Sequence, residues 1–291
     1  MAQSGAAGQN TGNGRAAAGS GLLSRLASAL PLARHEAQAY TQRRAIERHS
    51  LWLDPPLDAR GLPVLLVGGM GSTPALLAPM GDLLKRLGCR VEVAPVRFGV
   101  DCGEATAHAV GNALSELVET ASAPAIVIGH SRGGQFARAV ATRQPEQVRG
   151  LITLGSPLTR MLAVHPLLLA HLFALGALGA VGTPGLLRPS CRWGACCAPL
   201  RADLTGPFPG AVPFLSVYSA ADRVVDWRSS LDPAARHREI VTSHGGLIWD
   251  PASLTVVVEE LAVLLGPDAE APAGRGSCRV ARSRCSRRSA C

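Results

Sequence analysis

The stretch Ala125-Ile-Val-Ile-Gly-His-Ser-Arg-Gly-Gly134 decides how this sequence folds. Its first four residues form a short apolar run, which predicts a buried strand. Gly-x-Ser-x-Gly follows, and residues 135–143 then have the composition and spacing of a helix. A strand, a sharp turn that carries serine and a helix together expose a serine hydroxyl above the edge of a sheet. The pattern therefore predicts Ser131 as a nucleophile, with the N-terminus of the next helix pointing at it.

Apolar runs alternate with helix-like segments along residues 62–265. The runs are continuously apolar, as in strands that are buried on both faces of a parallel sheet. We therefore predict an α/β fold with a mostly parallel sheet of about six strands and helices on both faces. The predicted strands are 63–67, 90–95, 125–128, 150–154, 213–218 and 237–241, and the predicted helices are 73–87, 104–120, 135–143 and 251–265.

The segments outside this core have a different composition. Residues 1–21 are rich in Gly, Ala, Ser and Asn, and residues 266–291 are rich in Pro, Gly, Ser, Arg and Cys, so both are expected to be disordered. Residues 22–61 are expected to form an N-terminal helical extension, in which the helical pattern of residues 33–48 places Glu36 on an exposed face. The chain thus divides into two disordered ends, a helical extension and one α/β domain over residues 62–265.

One apolar segment interrupts the alternation of strands and helices. Residues 161–187 are dense in Leu, Ala and Gly, and a transmembrane helix is one interpretation. However, prolines and glycines interrupt the segment, and its longest unbroken stretch is shorter than the ~20 residues that span a bilayer. We therefore predict a helical cap insertion over about 158–210 that covers an apolar pocket.

The charge of the chain argues against a nucleic-acid partner. Basic residues number 29 and acidic residues 21, a formal net charge of +8. Lys85 is the only lysine, and such an excess of arginine is typical of a genome composition bias. Six arginines and no acid lie in residues 274–291, so the basic character belongs largely to the tail. Contact of the cap or of this tail with a membrane surface stays an open alternative.

The cysteines favour free thiols. The chain has eight cysteines, and residues 1–21 show no signal-peptide pattern, so a reducing, cytoplasmic environment is expected. A disulfide or metal site among Cys191, Cys196, Cys197 and the tail cysteines is the alternative. Its spacing matches no standard zinc pattern, and no metal or cofactor is predicted.

Two further residues complete a candidate catalytic set with Ser131. Asp222 and His244 each come directly after a predicted strand. Because parallel strands end at the same edge of a sheet, these side chains are expected to meet there. His244 would accept the proton of Ser131, and Asp222 would orient and stabilise the imidazolium. Asp226 is a near alternative for the acid, but Asp222 follows its strand more directly.

The oxyanion of an acyl-transfer reaction needs backbone donors. The N–H of Arg132, which follows the serine, is one candidate. The second is expected from the loop after the first core strand, at Gly69 or Met70, with Met70 preferred. Each such donor stabilises the transition state by roughly 3 kcal/mol.

Five motifs resemble those of a known family. They are Val67-Gly-Gly-Met70, Gly129-His-Ser-Arg-Gly-Gly134, Thr153-Leu-Gly-Ser-Pro157, Asp222-Arg-Val-Val225 and Ser243-His-Gly-Gly246. With them the chain resembles the alpha/beta-hydrolase family, in particular small bacterial lipases and esterases, over about residues 62–265. The resemblance implies hydrolysis of carboxylic esters without a cofactor. Two departures are Gly68-Gly69 in place of the usual His-Gly and the lack of obvious antiparallel strands before the sheet.

Three functions are compatible with these features. The leading hypothesis is a serine esterase or lipase that forms an acyl-Ser131 intermediate, with an apolar ester substrate suggested by residues 161–187. A thioesterase or acyltransferase with the same triad is the alternative. A non-catalytic lipid-binding protein is less favoured, because such a protein does not need Ser131, Asp222 and His244 together.

Overall fold

Six strands form a single parallel sheet in the computed structural model, which describes residues 32–38, 40–41 and 43–266. The strands are β1 (Pro63–Val67), β2 (Arg90–Val93), β3 (Ala125–His130), β4 (Val148–Leu154), β5 (Phe214–Tyr218) and β6 (Arg236–Glu239). Their order across the sheet is β2-β1-β3-β4-β5-β6, and every neighbouring pair is parallel. The predicted α/β class and six-stranded sheet are confirmed.

Helices cover both faces of this sheet. The longer ones are α1 (Pro74–Arg86), α2 (Gly103–Ala121), α3 (Arg132–Arg143), α4 (Pro166–Ala180), α5 (Ala198–Thr205) and α6 (Pro251–Leu265). Short α-helical turns are Ser50–Leu53, Ser190–Trp193 and Gly246–Trp249, and 3-10 turns are Ala45–Arg48, Pro145–Gln147, Ala195–Cys197 and Trp227–Ser230.

Alternate residues of β3 enter two hydrophobic cores. Ile126 and Ile128 belong to the core that contains residues of α1 and α6. Ala125 and Val127 belong to the core that contains residues of α2 and α3. Because successive side chains of a strand point to opposite faces, both faces of β3 are covered by helices. This double burial explains why the sequence of the strand is apolar throughout.

The start of one helix and the end of one strand differ from the prediction. In both cases the polar or apolar character of the residues does not match the element's bounds. Helix α3 begins at Arg132, directly after Ser131, rather than at residue 135. Strand β6 ends at Glu239, where its pairing with β5 ends, although the sequence predicted a strand to residue 241. Val241 is 85% exposed, so its apolar character does not reflect burial in the sheet.

The segments around the core have helical structure where they are described. Residues 32–38 and 40–41 are helical, and we call them the N-terminal helix. Between β4 and β5 lie α4, two short turns and α5, and an antiparallel bridge joins Val164 to Val225. None of the helices in residues 32–266 is long and apolar enough to cross a membrane. The segments 1–31 and 267–291 lie outside the described residues, and the predicted domain boundaries stay a prediction.

A buried ion pair fixes α3 behind the turn at Ser131. Arg138 Nε donates to Asp232 Oδ2 over 2.6 Å, and the two side chains are only 4% and 2% exposed. The guanidinium also donates to the carbonyls of Asp203 and Gly206 at the end of α5. One arginine thus connects α3 to α5 and to the loop after β5.

We expect Arg138→Met to lower the free energy of unfolding by about 3–5 kcal/mol, because it leaves the Asp232 carboxylate buried without its partner. Arg238→Met is the matched control, since Arg238 pairs with Glu259 at the surface, where both side chains are more than half exposed. An exposed pair is worth about 0–1 kcal/mol. Urea unfolding measures both changes, and equal losses would contradict the expectation.

Candidate active site

Ser131 lies at the turn between β3 and α3 in a backbone conformation that L-residues rarely adopt. Its φ is 54° and its ψ is −129°. Such a conformation costs on the order of 1–3 kcal/mol and persists only where the surrounding structure imposes it. A Cβ on Gly133 would lie 2.2 Å from the carbonyl oxygen of Val67, and one on Gly129 would lie 2.5 Å from the Cα of Gly134. These glycines therefore allow the close approach that the turn requires.

His244 and Asp222 are joined by a short hydrogen bond. His244 Nδ1 and Asp222 Oδ2 are 2.6 Å apart. The side chains are 9% and 1% exposed, so the pair is shielded from water. The other oxygen of Asp222 accepts the N–H of Val224 at 2.8 Å and that of Val225 at 2.9 Å. The carboxylate is thus fixed from both sides, as a group that orients a histidine needs to be.

Asp226, the alternative acid, has other partners. Its carboxylate pairs with the guanidinium of Arg160, and it accepts the N–H of Arg228 at 3.1 Å. It thereby caps the 3-10 turn that follows. The hydrogen bond to the histidine comes from Asp222 instead.

The environment of His244 favours its charged form. Burial disfavours the imidazolium, but the charge and hydrogen bond of Asp222, together with the charge of Glu36, outweigh this and raise the pKa of His244 above its ordinary value. A base with a raised pKa takes up a proton more readily, and it works only above that pKa.

His130 connects the turn at Ser131 to the loop of His244. The two imidazole rings have centroids 4.7 Å apart. Burial and the charge of His244 lower the pKa of His130 to about 3, so that ring is neutral at physiological pH. Its Nε2–H donates to the carbonyl oxygen of His244 over 3.0 Å. Within the described residues no hydrogen bond joins Ser131 Oγ to His244, and such bonds often tighten only when substrate binds.

The loop after β1 lies against Ser131. A Cβ on Gly69 would be 2.8 Å from Ser131 Cβ and 3.1 Å from the nitrogen of Arg132. Met70 and Arg132 both line the cavity next to Ser131. Neither of their N–H groups donates a hydrogen bond within the described residues. The structure thus brings together the three residues that the sequence proposed for the oxyanion.

A cavity of about 670 Å³ extends from Ser131 beneath the residues between β4 and β5. This volume lies within the roughly 300–1,000 Å³ that is common for small-molecule sites. The walls away from Ser131 are mostly apolar side chains, among them Leu162, Val164, Leu168, Leu169, Leu172 and Phe173. The site can therefore accept an apolar group beside the serine.

Comparisons with known proteins agree with this architecture. Residues 63–177 match the family model described as palmitoyl protein thioesterase. Monoacylglycerol lipase from Paleococcus ferrophilus is a structural neighbour at 15% identity and a TM-score of 0.50, covering 70% of this chain and 96% of the lipase. Lipase BlEst2 from Bacillus licheniformis is another, at 15% identity and a TM-score of 0.54, covering 72% of this chain and 95% of the lipase. The chain has the alpha/beta-hydrolase fold. No curated protein sequence matches it.

In this alpha/beta-hydrolase fold, Glu36 of the N-terminal helix holds the loop that carries His244. Its Oε1 accepts the N–H of His244 at 3.2 Å. Its Oε2 accepts the N–H of Gly245 at 2.7 Å and the hydroxyl of Ser243 at 3.2 Å. The rings of Tyr40 and Trp249 form a further contact between the N-terminal helix and the residues after His244. They pack edge to face, with centroids 5.8 Å apart.

No pattern in the sequence indicates this role of Glu36. The helical pattern of residues 33–48 placed Glu36 on an exposed face, which is wrong, because the side chain is partly buried against the 243–245 loop. Glu36 and His244 are 208 positions apart, so no local spacing relates them. Glu36 is one of two carboxylates in a segment rich in arginine, which does not distinguish it from Glu47.

We expect Gly69→Ala to reduce kcat for hydrolysis by about 10²–10³-fold, the effect of losing one oxyanion donor. The reason is that the new Cβ would stand 2.8 Å from Ser131 Cβ and 2.9 Å from the His130 carbonyl oxygen, so the loop must shift. Gly210→Ala is the control, because a Cβ there meets no atom within 4 Å. Steady-state kinetics and the thermal midpoint of both variants provide the comparison. Unchanged kcat in Gly69→Ala would exclude the assignment of this loop.

We expect Glu36→Gln to move the acidic limb of the kcat/KM profile to lower pH and to lower kcat. Removing a nearby negative charge lowers the pKa of His244, so the base stays deprotonated at lower pH. The amide also loses one of the two acceptor oxygens that hold the loop. Glu47→Gln is the matched control, because Glu47 lies in the same part of the chain and its side chain is 52% exposed. Superimposable pH profiles for the two variants would contradict the role of Glu36.

Proposed function

We propose that this alpha/beta hydrolase is a serine hydrolase that cleaves carboxylic esters of apolar acyl groups through an acyl-Ser131 intermediate. The observation that carries the proposal is the 2.6 Å hydrogen bond between His244 and the buried Asp222. In the same structure, Ser131 is held in a strained turn beside an apolar cavity. A positioned serine with an oriented base is the arrangement that acyl transfer requires.

The proposed reaction proceeds in two halves. Ser131 Oγ attacks the acyl carbonyl while His244 Nε2 accepts its proton, and Asp222 stabilises the resulting imidazolium. The backbone N–H groups of Arg132 and Met70, or Gly69, stabilise the oxyanion. The imidazolium then protonates the leaving alcohol. In the second half water takes the place of the alcohol, and the acid is released as Ser131 regains its proton.

The residues between β4 and β5 support an apolar substrate. The cavity walls there are rich in leucine. Several large apolar side chains of this region also face solvent, since Phe173 is 56%, Leu178 51%, Val181 81% and Trp193 60% exposed. Exposed apolar groups clustered near a cavity are typical of surfaces that meet lipid or another partner. An ester presented at a lipid surface is therefore the proposed substrate, and peripheral contact with that surface is part of the proposal.

Thioester hydrolysis is the second candidate function. The match of residues 63–177 to the palmitoyl protein thioesterase model favours it. The acyl-Ser131 intermediate would be the same, but a thiol would leave in place of an alcohol. Transfer of the acyl group to an acceptor alcohol is a third outcome of the same intermediate. Only the relative rates with each leaving group and acceptor separate these reactions.

We expect Ser131→Ala to abolish covalent labelling by a fluorophosphonate and to lower kcat for esters by about 10⁶-fold, the effect of losing a triad nucleophile. Ser156→Ala is the matched control. Ser156 is fully buried after the next strand, so its variant should still be labelled. Mass spectrometry of the labelled protein identifies the modified residue.

Esters and thioesters of equal acyl length, compared by kcat/KM, decide between the two functions. Higher kcat/KM for oxygen esters, rising with acyl length, supports the leading proposal, whereas preference for thioesters supports the second. Product analysis with added alcohols detects acyl transfer. No labelling and no turnover of either class would contradict both.

A further inference from the structure

Four cysteine sulfurs converge where the residues between β4 and β5 meet the core. Cys102 comes directly before α2, whereas Cys191, Cys196 and Cys197 lie in the two short turns between α4 and α5. The four sulfurs all lie within 4.8 Å of one another. Those of Cys102 and Cys197 are 3.5 Å apart, and those of Cys196 and Cys197 are 3.8 Å apart.

These separations are those of sulfurs around a shared metal ion. A Zn–S bond of about 2.3 Å places the four sulfurs of a regular tetrahedron about 3.8 Å apart. A disulfide would bring two sulfurs to about 2.0 Å. Four sulfurs within 4.8 Å of one another, with contributions from two parts of the fold, form a complete donor set for a structural zinc site.

We propose that Cys102, Cys191, Cys196 and Cys197 bind one Zn²⁺ ion that ties the residues between β4 and β5 to the start of α2. The sequence favoured free thiols here, because the spacing of Cys191, Cys196 and Cys197 matches no standard zinc pattern. The missing ligand is Cys102, which is 95 positions from Cys197 along the chain. Only the fold brings it to the other three.

The surroundings of the sulfurs suit a site of net negative charge. Four thiolates and one Zn²⁺ carry a net charge of −2. The backbone N–H of Arg188 donates to the sulfur of Cys191 at 3.4 Å. Hydrogen bonds to the ligand atoms orient them and tune the metal.

A partly buried cation lies next to the same cluster. A Cβ on Gly103 would be 3.5 Å from Nη2 of Arg132 and 3.9 Å from the sulfur of Cys197. The guanidinium and the thiol therefore both lie close to Gly103. Arg132 also donates to the carbonyls of Gly99 and Asp101, which precede Cys102. Its guanidinium offsets part of the negative charge of the proposed site.

The proposed ion would fix one wall of the cavity at Ser131. Cys191 lines that cavity, together with its neighbours Arg188, Pro189, Arg192 and Trp193. Holding the 191–197 segment to α2 would keep this wall in place. Removing the ion should therefore lower the thermal midpoint and change the preference for acyl length, while Ser131 itself stays intact. The metal site does not depend on the proposed function, because binding is measured directly.

Metal titration of the full-length, fully reduced and metal-free protein tests the proposal. We expect one equivalent of Zn²⁺ to bind and to raise the thermal midpoint. One equivalent of Co²⁺ should give the intense thiolate-to-metal absorption of a tetrahedral sulfur site. Zn²⁺ should also protect Cys102, Cys191, Cys196 and Cys197 of the wild type from alkylation, as mapped by mass spectrometry. Because the protection is measured on the wild-type protein, it does not depend on whether a cysteine variant folds.

Matched variants identify the ligands. Cys102→Ser and Cys197→Ser should weaken Zn²⁺ binding by more than the about 10–100-fold that follows loss of a hydrogen-bonding neighbour of a ligand. Cys89→Ala, a change in the buried core away from the cluster, should still bind one equivalent of Zn²⁺. The triple tail variant Cys278→Ser/Cys285→Ser/Cys291→Ser should do the same. Loss of the ion in the tail variant would overturn the proposal. A disulfide among the four cysteines in protein purified without reductant, with no Zn²⁺ bound after reduction, would also overturn it.

Discussion

At Ser131 the chain passes from β3 into α3 with a φ of 54°, and three backbone segments meet there. Side chains on Gly69, Gly129 or Gly133 would collide with this arrangement. The strain of the turn is held by the burial of β3 on both faces and by the anchoring of α3 through Arg138. The packing of the sheet and its helices therefore determines the orientation of the Ser131 hydroxyl. A change in that packing would alter the orientation.

The elements that could be predicted from the sequence are those with a local signal. Strands β1 and β3 have continuous apolar runs, and Asp222 and His244 follow strands, so the parallel sheet itself determines the edge at which they meet. The order and types of the elements follow from this. Their ends do not, because Val241 is apolar yet exposed, and the polar residues 236–239 form the last strand by backbone pairing with β5.

Contacts between distant parts of the chain carry no such signal. Glu36 meets the 243–245 loop across more than 200 positions, and Cys102 meets Cys197 across 95. In both cases the single residue looks ordinary in its own segment. The N-terminal helix consequently contributes to the candidate site, since a carboxylate contacts His244 on each side. Asp222 holds the imidazole ring, and Glu36 holds the backbone of the same residue.

The exposed outer strands of the sheet have a consequence for how this molecule meets others. Strand β6 consists of Arg236, His237, Arg238 and Glu239, and β2 at the other edge carries Arg90 and Glu92. An unpaired strand edge invites pairing with another chain, and charged side chains make that pairing costly, because they would lose their hydration. Within the described part of the chain, charged side chains on both outer strands thus oppose extension of the sheet by another chain, although its central strands are almost wholly apolar.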